Sequence, residues 1–267
     1  MPRRRNLGWN PQLPDHRDSV FSYVPPMGVT LPPAVDLRPK MPPVYDQGQI
    51  GSCTANATDA LVQFLIRPAG ADTPWFTGSR LFIYYNTREA EGTIGSDSGG
   101  AIRDAIKSVA TFGVPAEEAW PYDGDPANGD GTFPINHSAC WRPPQPAYDA
   151  AAVAKAVSYH AVKQSLSYLK TCLAEGFPIA FGFTIYSSFY DPNDVPLTAI
   201  PMPGQNEGLE GGHAVVAVGY DDETARFTVR NSWGPDAQDH GHFYLPYGYV
   251  TNPELASDFW TIRKVSP

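Results

Sequence analysis

Starting at Cys53, apolar residues recur at Ala57, Leu61, Val62, Leu65 and Ile66. That three- and four-residue spacing predicts a helix with one buried face. A second helical run, Ser79 to Glu91, places Leu81, Phe82 and Tyr85 on one side. A third carries Ile102, Ala105, Ile106 and Val109 and closes at Gly113, with Pro115 beyond as a stop signal. A fourth, near 161–175, aligns Val162, Leu166, Leu169 and Leu173 before Gly176 and Pro178, and makes Cys172 core filling. The pattern then changes. Residues 178–186 form an apolar strand candidate, and after a long loop at 187–210 two clear strands follow, His213–Tyr220 and Arg226–Arg230, joined by the polar turn Asp221–Thr224. Residues 121–147, rich in Pro, Gly and Asp, read as a further long loop. A helical half followed by a β-rich half predicts an α+β fold.

The first 46 residues differ from all of this, because ten prolines fall there. Proline fixes φ and removes a donor, so the segment is neither helix nor central strand. It still carries Trp9, Val20, Phe21, Tyr23, Val24 and Leu31 as apolar anchors, which a solvated tail would not need. An extended arm lying against the body follows. With 267 residues, 42% hydrophobic and 18% charged, the chain is long enough for one large domain or two small ones. A net charge of -9 argues against binding nucleic-acid phosphate or an anionic membrane. No stretch approaches a membrane span, and Arg3–Arg5 are followed by polar residues where a signal peptide needs an apolar run. The expectation is synthesis in the cytoplasm without a Sec-type signal, leaderless export remaining open. Asn56 and Asn136 head glycosylation patterns that have meaning only in a secretory pathway.

Three cysteines, Cys53, Cys140 and Cys172, are too few for a disulfide framework, and without a CxxC pair no structural zinc site of the usual type is expected. His240 and His242 flank Gly241 in what reads as a solvent-exposed polar loop. Cys53 is different. It follows the Gly-rich stretch from Gln47 to Ser52 and opens a helix, with Ser52 as the expected N-cap. Helix N-termini carry unsatisfied N–H donors and partial positive charge, which lower a thiol's pKa and favour the nucleophilic thiolate.

Strand geometry supplies partners. If the second hairpin folds about Asp222, His213 and Asn231 stand opposite each other on one face, with Cβ atoms ~5 Å apart. The Asn carbonyl would then hold one imidazole nitrogen and leave the other for a thiolate. A slip of one residue would separate them onto opposite faces. Nucleophile, base and orienting amide make the thiol version of a catalytic triad, and Gln47 adds an N–H₂ that could bind an oxyanion together with the Cys53 backbone N–H.

These residues resemble the papain-like cysteine peptidases: Gln47 to Cys53 in QGQIGSC, Gly99-Gly100, His213 in GGHAVVAVGYD, Asn231-Ser232-Trp233-Gly234, and Val35 to Arg38 at the usual start of the mature enzyme. The resemblance covers about residues 35–265. It implies a papain-like two-domain fold: a leader over 1–36, a mostly helical domain over 37–149 carrying the nucleophile, and a β-barrel-like domain over 150–267 carrying His213 and Asn231, with the active-site cleft between them. It assigns Cys53 as nucleophile, His213 as base and later acid, Asn231 as orienter and Gln47 as oxyanion donor. Trp233 would shield the Asn231–His213 bond. Gly99 and Gly100 would pair with an extended substrate by strand addition, next to Gly212. The implied activity is peptide-bond hydrolysis by a monomer, an endopeptidase acting on peptide or protein substrates without cofactor or metal. Residues within Leu255–Phe259 are candidates for the pocket of the second residue before the cut.

The chain also departs from that family. Ile50 replaces its first cysteine, Thr54 its tryptophan, Ser98 one of its cysteines, and Gly212 precedes His213 where many relatives have Asp or Asn. The left-domain disulfides are therefore missing and Cys140 is unpaired, which fits a reducing compartment or a bacterial origin. The leader is short, as in bacterial members, and is expected to lie across the cleft and restrain activity as in a zymogen. Two other readings keep the scaffold: a non-catalytic peptide-binding module, or a transpeptidase or amidase with the same triad. A serine-peptidase reading of Asp97-Ser98-Gly99-Gly100 fails on order, since only His16 precedes Ser98.

Overall fold

A computed structural model describes residues 6–22, 30–66, 75–152 and 154–266. Its elements, in chain order, are β1 (Ala34–Asp36), α1 (Cys53–Ile66), α2 (Arg80–Glu91), α3 (Ile102–Phe112), α4 (Gln145–Ala151), β2 (Ala156–Ala161), α5 (Leu166–Ala174), β3 (Ile179–Tyr186), β4 (Leu209–Asp221), β5 (Arg226–Arg230), β6 (His242–Pro246), α6 (Tyr247–Val250) and β7 (Ala256–Val265). The strands form one seven-stranded antiparallel sheet in the order β2-β7-β3-β4-β5-β6. Proline-flanked β1 pairs the far end of β4, where Ala34 to Asp36 face Asp221 to Gly219 beyond the reach of β3. The fold is α+β, as expected.

The first three helices start and stop where the sequence places them. Ser79 caps α2 by accepting from Phe82 N–H, and Gly113 follows α3 at φ 85°. The amphipathic reading of α1 falls short, however. Every residue from Cys53 to Gln63 is buried, because the helix runs through the middle of the molecule between α2, α3 and strands β3, β4 and β7. Its N-terminus is thereby fixed against the sheet.

Three further expectations need correction. The helix near 161–175 is two elements: β2 ends at Ala161 and α5 begins at Leu166. The loop expected over 121–147 gives way to α4 from Gln145. His242 lies on β6 and is 8% exposed, because Gly241 turns the chain at φ 79° and aims it inward; burial, chiefly, lowers its pKa to about 4. Cys172 is core, as expected, and all three cysteines are free. Of the arm's anchors, Trp9 and Phe21 are buried, Leu31 is half-buried and Val20 is exposed; Tyr23 and Val24 lie outside the described residues.

Candidate active site

The site forms where the N-terminus of α1 meets the middle of β4. Cys53 is wholly buried, and its Sγ accepts from the Ala214 N–H at 3.4 Å, one residue from His213. The backbone N–H groups of Gly8 and Thr54 also point at the sulfur. Ser52 supplies its carbonyl to Asn56 N–H, but its hydroxyl is taken up by Tyr122 and the Asn56 side-chain amide rather than by capping. Asn56 is itself buried and leaves no room for a glycan.

His213 Nε2 lies 2.9 Å from Asn231 Oδ1, although the strand register differs from the expected one. Val216 pairs with Arg230 and Ala217 with Val229, so the hairpin is offset by two from a fold about Asp222, and a bulge at Val218 adds one more toward the turn. An offset of two preserves the face, so His213 and Asn231 meet diagonally instead of directly. Asn231 Oδ1 also accepts from Ser232 N–H, and its Nδ2 donates to Gln238 Oε1 at 2.8 Å. Gln238, which no sequence pattern singles out, takes a left-handed φ of 54°, and its own amide is tied to the Leu197 carbonyl. Trp233 lies against the imidazole, ring centres 4.9 Å apart. With Nε2 held, Nδ1 is the imidazole atom without a partner among the described residues.

Gln47 is buried, its Oε1 accepting from Ser232 Oγ and its Nε2 donating to the carbonyls of Ile50 at 2.9 Å and Asn6 at 3.1 Å. Asp97, not anticipated, accepts from Gly51 N–H, Tyr84 hydroxyl and Asn6 Nδ2, pinning the turn that precedes Cys53 to the arm. Ser98 Oγ donates to Thr93 and to the Gly99 carbonyl, and so is engaged in its own loop.

The arm crosses this site. Gly100 N–H donates to the Gly8 carbonyl at 2.8 Å, Asn10 N–H to the Gly100 carbonyl at 3.1 Å, and Trp9 N–H to the Gly212 carbonyl at 3.1 Å. Gly99, Gly100 and Gly212 are thus in contact with an extended segment of the same chain, running parallel to Gly100. The electrostatics reflect that cover. Burial pushes the Cys53 thiol up to about 11, overriding the donors around it, and pushes His213 down to about 4 against the opposing effect of Asn231. The helix-terminus expectation of a lowered thiol pKa is therefore not met in this covered state: the charged form loses more from missing water than it gains from nearby N–H groups. Burial thus disfavours the charged form of both groups.

Comparison with known proteins identifies the family and the fold. The profile of the Papain family cysteine proteases matches residues 31–260. An uncharacterised peptidase C1-like protein of Acanthamoeba polyphaga mimivirus is 36% identical over 98% of this chain and 88% of its own length. A cathepsin B-like protein of Giardia intestinalis is 31% identical over 77% of the chain, which spans 64% of that relative. Among solved structures, xylellain, a cysteine protease from Xylella fastidiosa, superposes with a TM-score of 0.89 at 45% identity, covering 99% of this chain and 98% of that one. A procathepsin B of Trypanosoma congolense shares the fold at 15% identity, with a TM-score of 0.71 over 94% of this chain and 84% of its own. The chain belongs to the papain family of cysteine proteases.

Proposed function

We propose that this cysteine peptidase works through a thiol acyl-enzyme and that its N-terminal arm restrains it. Cys53 Sγ attacks the scissile carbonyl, and the oxyanion is held by Gln47 Nε2 and the Cys53 N–H. His213 takes the thiol proton as the sulfur attacks and gives it to the leaving amine; it then takes a proton from the water that hydrolyses the thioester and returns it to the departing thiolate, restoring the thiol. Asn231 holds Nε2 and leaves Nδ1 free to take up the thiol proton, and Trp233 and Gln238 hold the pair. The placement of Cys53 Sγ on the N–H next to His213, at the buried end of α1, carries this reading. A Cys53→Ala protein that keeps its fold but turns over no peptide is the expected result; retained turnover would overturn the assignment and favour another nucleophile.

The restraint rests on what the arm touches. Its Gly8 N–H points at the sulfur, its Asn6 carbonyl takes the Gln47 amide, and its backbone occupies Gly100 and Gly212. It therefore covers the groups proposed for nucleophile, oxyanion and substrate strand at once. Withdrawal would readmit water and lower the cost of a thiolate–imidazolium pair. Removing residues 2–34 should raise peptide turnover; unchanged turnover sinks the restraint while leaving the chemistry intact.

A further inference from the structure

One peptide unit ahead of the nucleophile is gripped from both sides. The Ile50 carbonyl accepts from Gln47 Nε2 at 2.9 Å. The Gly51 N–H, the other end of the same unit, lies 2.9 and 3.0 Å from the two carboxylate oxygens of Asp97. Gln47 is the oxyanion donor proposed above, and Gly51 stands two residues before Cys53. Asp97 thus sets the tilt of a peptide plane on which both depend.

The same carboxylate reaches the substrate side of the site. The Tyr84 hydroxyl donates to Asp97 Oδ1 at 2.6 Å and accepts from Gly99 N–H at 3.2 Å. Tyr84 is wholly buried. Burial, and then the Asp97 charge, raise its pKa well above the usual tyrosine range, so the hydroxyl keeps its proton and stays a donor. Buried Arg88 lies over the Tyr84 ring, 4.0 Å from its centre, and donates to the Ile94 and Ser96 carbonyls at 3.0 Å. That fixes the segment leading into Asp97, whose own N–H is held by the Gly131 carbonyl at 2.8 Å. A Cβ on Gly51 would come within 3.4 Å of Asp97 Oδ1 and 3.5 Å of Gly99 N, so no side chain separates the gripped segments.

The third donor to Asp97, Asn6 Nδ2, belongs to the arm. Withdrawal removes that contact alone and leaves Gly51 and Tyr84 in place. No covalent tie holds these segments: all three cysteines are free, and Ile50, beside Gly51, stands where the papain family has a cysteine. We infer that Asp97 is a positioning residue for peptide hydrolysis, acting through Gly51 on the nucleophile turn and Gln47 and, through Tyr84, on the Gly99–Gly100 substrate strand. The inference rests on the peptidase reading above. An ionised carboxylate accepts stronger hydrogen bonds than a neutral amide. Its charge also adds to burial in raising the Cys53 thiol. Neutralising Asp97 should therefore ease thiolate formation and still slow the reaction.

The test uses the full chain with Trp9→Ala, which removes the indole seated between Gly182 and Gly212, and counts competent sites by epoxide titration of Cys53. In that background Asp97→Ala should lower kcat per titrated site about a hundredfold, the scale of a displaced reacting group. Tyr84→Phe leaves the Asp97–Gly51 contact in place and should instead raise KM about fivefold, the worth of one hydrogen bond, with kcat changed far less. Asp97→Asn keeps the shape of the side chain. It should lower kcat by less than Asp97→Ala, while the pH midpoint of iodoacetamide labelling of Cys53 moves to lower pH. A merely structural role would reduce the titrated fraction and the thermal unfolding midpoint, leaving kcat per site, KM and the labelling midpoint unmoved. That result, or a labelling midpoint that does not fall in Asp97→Asn, overturns the inference and leaves the peptidase reading standing. No cleavage of any peptide by the Trp9→Ala parent, with no epoxide labelling of Cys53, overturns the peptidase reading and this inference with it.

Discussion

In the buried imidazole of His213, Nε2 is held 2.9 Å from Asn231 Oδ1, while Nδ1 has no hydrogen-bond partner among the described residues. Asn231 thus fixes which nitrogen is available and raises the ring's proton affinity against the burial that lowers it. Asn231→Ala should lower kcat by about a hundredfold, the scale of a misplaced general acid–base group. Because the lost hydrogen bond raised the imidazole pKa, the alkaline limb of the pH–rate profile should also move to lower pH. A merely structural role for Asn231 would lower the amount of active enzyme without moving that limb.

Gln47 presents its Nε2 to the Asn6 carbonyl, an arm oxygen standing where an oxyanion is proposed to form. Gln47→Ala should cost about 10²–10³ in kcat, with KM changed far less, since the donor matters most once the oxygen is charged. Steady-state kinetics on one fluorogenic peptide, with arm-released enzyme, decides this.

The covered thiol sits at about 11. Alkylation of Cys53 by iodoacetamide in the full chain should therefore climb about tenfold per pH unit through neutrality toward that value, since only the thiolate reacts. Trp9→Ala, which removes the arm's anchor in its pocket, should bring the reaction into the neutral range. Coincident pH profiles for the two proteins would show that the arm does not govern the thiol.

Asp59 tests the core of the helical half. It is fully buried on α1, its Oδ1 is unpartnered among the described residues, and burial raises its pKa to about 7 despite the nearby Arg80 charge and the Gln63 amide. A carboxyl with a folded pKa above its unfolded value binds more protons when folded, so stability falls as pH rises from about 4 to about 7 and is flat beyond. Asp59→Asn should remove that slope, raising stability by a few kcal/mol at pH 8 and by little at pH 4. Thermal unfolding at the two pH values measures the difference.

The parts of the site that rest on local signals were legible in the sequence. A Gly-rich turn before a helical run places Cys53, and hairpin parity places His213 and Asn231 on one face even though the register is two off. What escaped depends on distant neighbours. The thiol pKa is set by water exclusion under the arm, which no spacing encodes. Strand β7 was unread because the left-handed Asp258 breaks its alternation, and β2 because bulges near Ser158 leave Val157 outward and exposed. His242 misled because Gly241 and His240, polar-loop residues by composition, make the turn that carries it inward.

Where the arm passes Cys53, backbone meets backbone. A Cβ on Gly8 would come within 1.8 Å of the Gly51 oxygen, and one on Gly99 within 2.1 Å of the Gly8 oxygen. No residue larger than glycine can travel that track. The close approach is made by omission: hydrogen atoms where any other residue has carbon. A peptide with any side chain at the place of Gly8 must take a different course past Gly51. A single methyl group added at position 8 would meet the Gly51 carbonyl head on.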